Sequence, residues 1–174
     1  MLTLIGEFLS FSTFSSVWYW IFLAIAWSSR THWTIGVPFD SIVRADKLGG
    51  TWESDLDAIA HAMSARFALL AGQGGPWIIG IAAFFLTGLI TASVLTENEM
   101  VRGLTALALP MAIAEFGDVR LALRIHRTGV RGHDLRRAIV WRRFLNQVTG
   151  LFSLTLAAAL AALTILQVEG VFLW

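Results

Sequence analysis

The sequence predicts an all-α integral membrane protein, a four-helix bundle with short interfacial and cytoplasmic helices, and three observations carry that prediction. Hydrophobic residues make up 56% of the 174 and charged residues only 14%, with a mean hydropathy of +0.69; a water-soluble domain needs about 25% charged residues to keep its surface wetted. Two long runs, residues 76–95 and 145–168, contain no charge at all. Twelve of the 13 Lys and Arg fall in residues 30–75 and 117–144, leaving only Arg102 elsewhere. The length fits a single membrane domain, residues 1–174.

The first expected span is residues 15–33 (SSVWYWIFLAIAWSSRTHW). Trp18, Tyr19 and Trp20 at one end, with Trp27 and Trp33 near the other, resemble the aromatic belts of membrane interfaces. Arg30 and His32 lie close enough to one end to snorkel into the headgroups. Residues 2–14 read as an interfacial segment. With no positive leader and no small-residue cleavage site, the N-terminus reads as retained rather than removed as a signal.

Two helices are expected in the segment 34–75. Residues 38–48 form a short one stopped by Gly49 and Gly50. Residues 54–71 form a longer one, with Ser54 as N-cap and Asp57 three residues on. Leu56, Ile59, Met63, Phe67 and Leu70 recur along it at three- and four-residue steps, giving one apolar face. Gly72, Gly74 and Gly75 end it. Such a helix, fastened to a span, lies on the bilayer surface or caps the bundle.

The second span, residues 76–95, is the strongest. Twenty residues at about 1.5 Å each cover roughly 30 Å, the thickness of the hydrocarbon core, and Pro76 suits the first helical turn. Residues 100–116 are shorter, contain Pro110 and run up to Glu115 and Phe116. They are read as the third span because Thr96–Glu99 can only turn one helix into the next, and because omitting them would put the two basic segments on opposite sides. Residues 145–168 are the fourth. The positive-inside rule then places the loops 34–75 and 117–144 in the cytoplasm and both termini in the periplasm of a multi-pass protein of the bacterial inner membrane.

Several chemistries are excluded by what the chain lacks. A net charge of +1 gives no field for nucleic acid. Without cysteine it can hold no disulfide, thiolate zinc site, cysteine nucleophile or thiolate-bound iron–sulfur cluster. His32, His61, His126 and His133 fall at span ends or in loops, whereas haem or chlorin ligation needs imidazoles facing one another at bilayer depth; no cofactor and no metal are expected. No HExxH, GxSxG or glycine-rich phosphate loop is present, and no nucleophile–base constellation, so the expectation is a non-enzymatic protein.

Four groups of residues remain as candidates. Glu115 is a carboxylate near the bilayer and so a relay candidate by default, but at the end of its span it reads better as a group that reaches water or pairs with arginine, and Asp118 likewise. Arg120, Arg124, Arg127 and Arg131 step by four, three and four, one face of a continuing helix, and Arg136 and Arg143 stand two turns apart on the next segment. Guanidinium forks suit phosphates, and anionic lipids of the cytoplasmic leaflet attract basic residues by about 1 kcal/mol each; these six are candidate contacts to anionic phospholipid or an acidic partner, with plain topology as the alternative. Thr149, Ser153, Ala157 and Ala161 form a small-residue line that lets helix backbones approach closely, within the bundle or against a larger complex. Gly80, Gly88 and Ala92 offer a similar surface.

Residues 17–45, VWYWIFLAIAWSS…HWTIGVPFDSIVRA, resemble a group of small proteobacterial inner-membrane proteins labelled "component of SufBCD complex", and the likeness continues through the second span and RRFLNQVTG (142–150). The label would imply a part in iron–sulfur cluster assembly. A cysteine-free chain cannot scaffold clusters by thiolates, so that activity is not carried over, and no site residues come with the resemblance. The expected function is a non-enzymatic accessory or scaffold subunit of an inner-membrane complex, with other integral membrane proteins and anionic phospholipid as partners. The alternative is a small membrane subunit of a transporter, its path lined by Thr87, Thr91, Thr105, Glu115, Asn146 and Gln147.

Overall fold

A computed structural model describes residues 13–96 and 98–168; the expected interfacial segment 2–14 lies almost wholly outside the described residues. The chain is all-α. After a 3-10 turn at Thr13–Ser15 come α1 (Val17–His32), a hairpin of β1 (Trp33–Thr34) and β2 (Val37–Pro38), then α2 (Phe39–Leu48), α3 (Thr51–Gln73), α4 (Gly75–Leu95), α5 (Glu99–Thr128) and α6 (Gly132–Val168).

Local chemistry accounts for most of these boundaries. Asn98 caps α5, its Oδ1 accepting from the backbone N–H of Met100 at 2.9 Å and Val101 at 3.2 Å, which satisfies two of the donors that a helix start leaves open. α3 begins at Thr51, ahead of the expected Ser54, whose hydroxyl donates to Thr51 O within the first turn. Asp57 does not close a capping box on its own helix; its carboxylate accepts the Gly132 N–H at 2.9 Å and so caps the start of α6. The expected loop 117–144 is almost entirely helix. α5 runs unbroken past Pro110 to Thr128 and α6 starts at Gly132, so the two form one long antiparallel hairpin, the most extensive contact in the molecule.

The unanticipated element is the β1–β2 hairpin, in which Trp33 pairs with Pro38 and Thr34 with Val37. Its turn residues Ile35 and Gly36 both have positive φ, 50° and 78°, as two-residue hairpin turns of the primed kind require. A β-branched residue there is strained. The Ile35 side chain is buried in a core with Val37, Ile42, Leu56, Ala60, Ile125, Leu135 and Ile139, and that burial holds the turn.

This upper core joins the hairpin, α2 and α3 to the C-terminal end of α5 and the N-terminal end of α6. A lower core of Leu23, Trp27, Ala106, Ala114 and Ala157 joins α1 to the other halves of α5 and α6. α3 therefore caps the bundle: its buried line is Leu56, Ala60 and Ser64, with Ile59 and Phe67 packed alongside and Leu70 left exposed.

Among the described residues two helices, α4 and α6, are long and apolar enough to cross a membrane. α1 has only 16 residues, because the hairpin takes over at Trp33. The apolar part of α5 is bounded by Arg102 on one side and Glu115 and Asp118 on the other. α4 touches chiefly α5, and none of its most apolar stretch is buried within the molecule; Trp77, Phe84 and Leu95 are each at least three-quarters exposed.

Candidate functional site

The strongest concentration of polar groups lies between the two cores. Asp118, on α5, is 1% exposed. Its Oδ1 accepts from Arg142 Nε at 2.6 Å and from Asn146 Nδ2 at 3.2 Å, both on α6. Arg30 Nη2, at the end of α1, stands 2.9 Å from its Oδ2, close enough to pair but without hydrogen-bond alignment. Arg30 also reaches Glu115 through Nη1 at 2.6 Å, and Arg142 donates to Ala114 O at 2.5 Å. Two guanidiniums thus face two carboxylates, with an amide completing the inner one.

The sequence builds this site by spacing. Ala114 and Asp118 stand four residues apart on α5, and Arg142 and Asn146 four apart on α6, so each pair shares a helical face. Gly117 makes room: a Cβ there would overlap the Arg142 guanidinium. Below, Gly150 lets Trp27 of α1 lie against the α6 backbone, since a Cβ would fall 3.0 Å from the indole ring. The amide orientation of Asn146 follows from the carboxylate, which needs a donor; it leaves Oδ1 without a hydrogen-bond partner among the described residues, as is Trp27 Nε1.

Glu115 and Asp118 are paired with arginine, one of the two readings (reaching water or pairing with arginine) preferred to a relay, and the partners are Arg30 and Arg142. Arg30 does not snorkel outward; it turns inward because two carboxylates on α5 lie at its level. Arg120, the near neighbour in sequence, is exposed.

The six arginines singled out divide four ways. Arg120, Arg124 and Arg127 are exposed on α5, but α5 ends at Thr128, so Arg131 sits in the connection and not on the same helical face. Arg136 is engaged within the molecule, pairing with Asp46 at 3.3 Å and Glu53 at 3.7 Å and tying α6 to α2 and α3. The Arg143 guanidinium lies 3.4 Å from the centre of the Phe39 ring, a cation–π contact. Only the first group and Arg131 are left facing outward.

The small-residue line of α6 is an internal contact over its middle. Ser153 is fully buried and donates to Ala106 O at 2.7 Å, and Ala157 is fully buried in the lower core. Thr149 donates to Leu145 O in its own helix, and Ala161 is half-buried. Gly80, Gly88 and Ala92 line a shallow groove on the outer side of α4 together with Thr87 and Thr91. Of the polar residues considered for a transport path, Glu115 and Asn146 meet at the Asp118 cluster; Thr105 turns to the carbonyls of Val101 and Leu89, Thr87 and Thr91 lie on the α4 groove, and Gln147 is exposed.

Sequence reasoning counted Arg142 only as a topology signal. Its signal was the polar pair Arg142 and Asn146 recurring at a helical step where the last expected span begins. Among the described residues no three His, Asp or Glu side chains converge as metal ligands. Comparison with family models, with curated proteins and with solved structures found no match to this chain.

Proposed function

We propose that the chain is a multi-pass protein of the bacterial inner membrane and a non-enzymatic accessory or scaffold subunit of a larger membrane complex. The observation that carries this reading is α4: 21 residues without a charge, contacting its own molecule along one side only and presenting large apolar side chains elsewhere. Such a surface needs lipid or another membrane protein around it. Four spans, residues 15–33, 76–95, 100–116 and 145–168, are consistent with the lower core, which packs α1 against α5 and α6 through small residues as membrane helices do. The exposed arginines of α5 and its connection support a cytoplasmic hairpin tip in contact with anionic lipid, and both termini in the periplasm. The Asp118 cluster then lies where the bundle leaves the membrane and acts as a lock between α1, α5 and α6. The resemblance of residues 17–45 to small proteobacterial inner-membrane proteins supports the same placement.

A reporter active only in the cytoplasm, inserted within Gly129–Gly132, is expected to be active, and the same reporter after Trp174 silent. Gentle detergent extraction is expected to bring other integral membrane proteins with the chain. A reporter active after Trp174 would reduce the spans to an odd number, with residues 100–116 the first to be withdrawn, and a chain that purifies alone from fresh membranes would refute the subunit role.

A further inference from the structure

A cleft of about 880 Å³ opens between the C-terminal end of α5 and the N-terminal end of α6. Its polar end, beside the Gly129–Arg131 connection, carries Arg124, Thr128, Asp134 and Arg137. Its other end, toward the last span, is walled by Leu121, Val140, Trp141 and Phe144, the two aromatic rings stacked with centroids 5.4 Å apart. Because α5 rises toward the connection and α6 descends from it, this polarity runs along the bundle axis. Below the cleft the apolar surface continues: Val140, Phe144, Val148 and Phe152 recur every four residues on α6 and each is about half exposed.

Neither the Arg124 nor the Arg137 guanidinium makes an ion pair or hydrogen bond among the described residues, whereas Arg30, Arg136 and Arg142 are all paired. Asp134 is the one acid in the wall, and its nearest partner is the His133 ring at 3.7 Å. Two cations against one carboxylate leave a single positive charge, the complement of one phosphodiester. Two guanidinium forks at the wet end of an apolar cleft suit a molecule that carries its phosphate and its hydrocarbon at opposite ends.

We propose that this cleft seats one membrane glycerophospholipid, its phosphodiester held by Arg124 and Arg137 and an acyl chain laid along Trp141, Phe144 and the strip below them. The inference rests on the membrane placement proposed above. It differs from diffuse attraction to a charged leaflet in assigning the work to two arginines, while Arg127 and Arg131, also exposed on the same hairpin, are not among the residues that line this cleft.

The test is phospholipid phosphorus per chain after extraction in mild detergent and extensive washing, on variants that remain in the membrane fraction. Wild type is expected to retain lipid, R124Q/R137Q to lose at least five-fold, and R127Q/R131Q, which removes the same charge, to keep it. A138W, which fills the cleft from its wall without altering charge, is expected to lose lipid as well. Equal loss in the two glutamine pairs would reduce the effect to diffuse attraction, and retention in both R124Q/R137Q and A138W would leave the cleft without lipid; either overturns the proposal. So would displacement of the bound phosphate by tail-less glycerol phosphate, which would mark a site for a soluble anion, or loss of a co-purifying protein from R124Q/R137Q with lipid unchanged, which would mark a partner surface. A wild-type chain absent from the membrane fraction fails the proposed function itself; an inserted wild type that holds no lipid fails only the cleft.

Discussion

At Asp118 a buried carboxylate faces two guanidiniums and an amide, and how the charges balance sets what each substitution costs. Arg142 supplies the best-aligned contact and is itself 13% exposed. Arg142→Leu leaves Asp118 with an amide and the unaligned Arg30, and breaking a buried pair in this way costs about 3–5 kcal/mol. The expected readout is a clear fall in the midpoint of thermal unfolding in detergent, while the D118L/R142L double variant recovers much of it, because an apolar pair needs no compensation. Glu115 is half exposed, and its pair with Arg30 is worth at most about 1 kcal/mol, so Glu115→Gln should shift the midpoint little. Equal losses for Glu115→Gln and Arg142→Leu would mean that the inner pair is solvated and the lock is not one. The sequence made these acids readable as paired groups near a span end, since an isolated charge there is costly. It did not name their partners, because Arg30 comes from a different helix and is brought alongside by tertiary packing, Leu23 in the lower core and Trp27 on Gly150.

On the scale of single elements, α6 presents the most demanding face. Gly150, Ser153 and Ala157 bring its backbone against α1 and α5. Ala157→Leu places a branched side chain in the lower core, where overpacking costs about 1–3 kcal/mol, yet leucine is if anything more favourable in lipid. The expected outcome is normal membrane insertion with a lower unfolding midpoint; unchanged stability with loss of co-purifying proteins would instead move this face to an interface between chains. The helices themselves were legible because uncharged runs, glycine stops and apolar periodicity are local signals, and α2 differs from its expected range by one residue at its start. The hairpin was not, since residues 33–38 carry no strand alternation, and Ile35 enters a strained turn only because its side chain has a core to fill. Ile35→Asn suits the positive φ but puts an amide into that core, and a net destabilisation is expected from chemical unfolding; a gain would show that backbone strain outweighs burial there.

The molecule as a whole is two cores threaded by the same pair of helices, α5 and α6, with an ionic joint between them. In the proposed orientation the upper core is wet and the lower one lies in lipid, and the absence of cysteine makes this simple to map. A single cysteine at Thr96 should react with an impermeant maleimide in intact cells, and one at Thr128 only after the cells are opened. The reverse pattern would invert the protein, and labelling of both in intact cells would place α5 outside the bilayer. Assembly of the joint also has a history set by chain synthesis. Arg30 leaves the ribosome about 110 residues before Arg142, which at about 5–20 residues per second is a wait of roughly 5–20 s. For about the first 85 residues of that interval a cation stands at the edge of the first helix with neither carboxylate yet made, and when both have been made Arg142 is still to come. The nascent chain therefore passes through a stage in which α1 is free to tilt, slide or be held by an insertion factor, and it is the arrival of the final helix that fixes the first one in place.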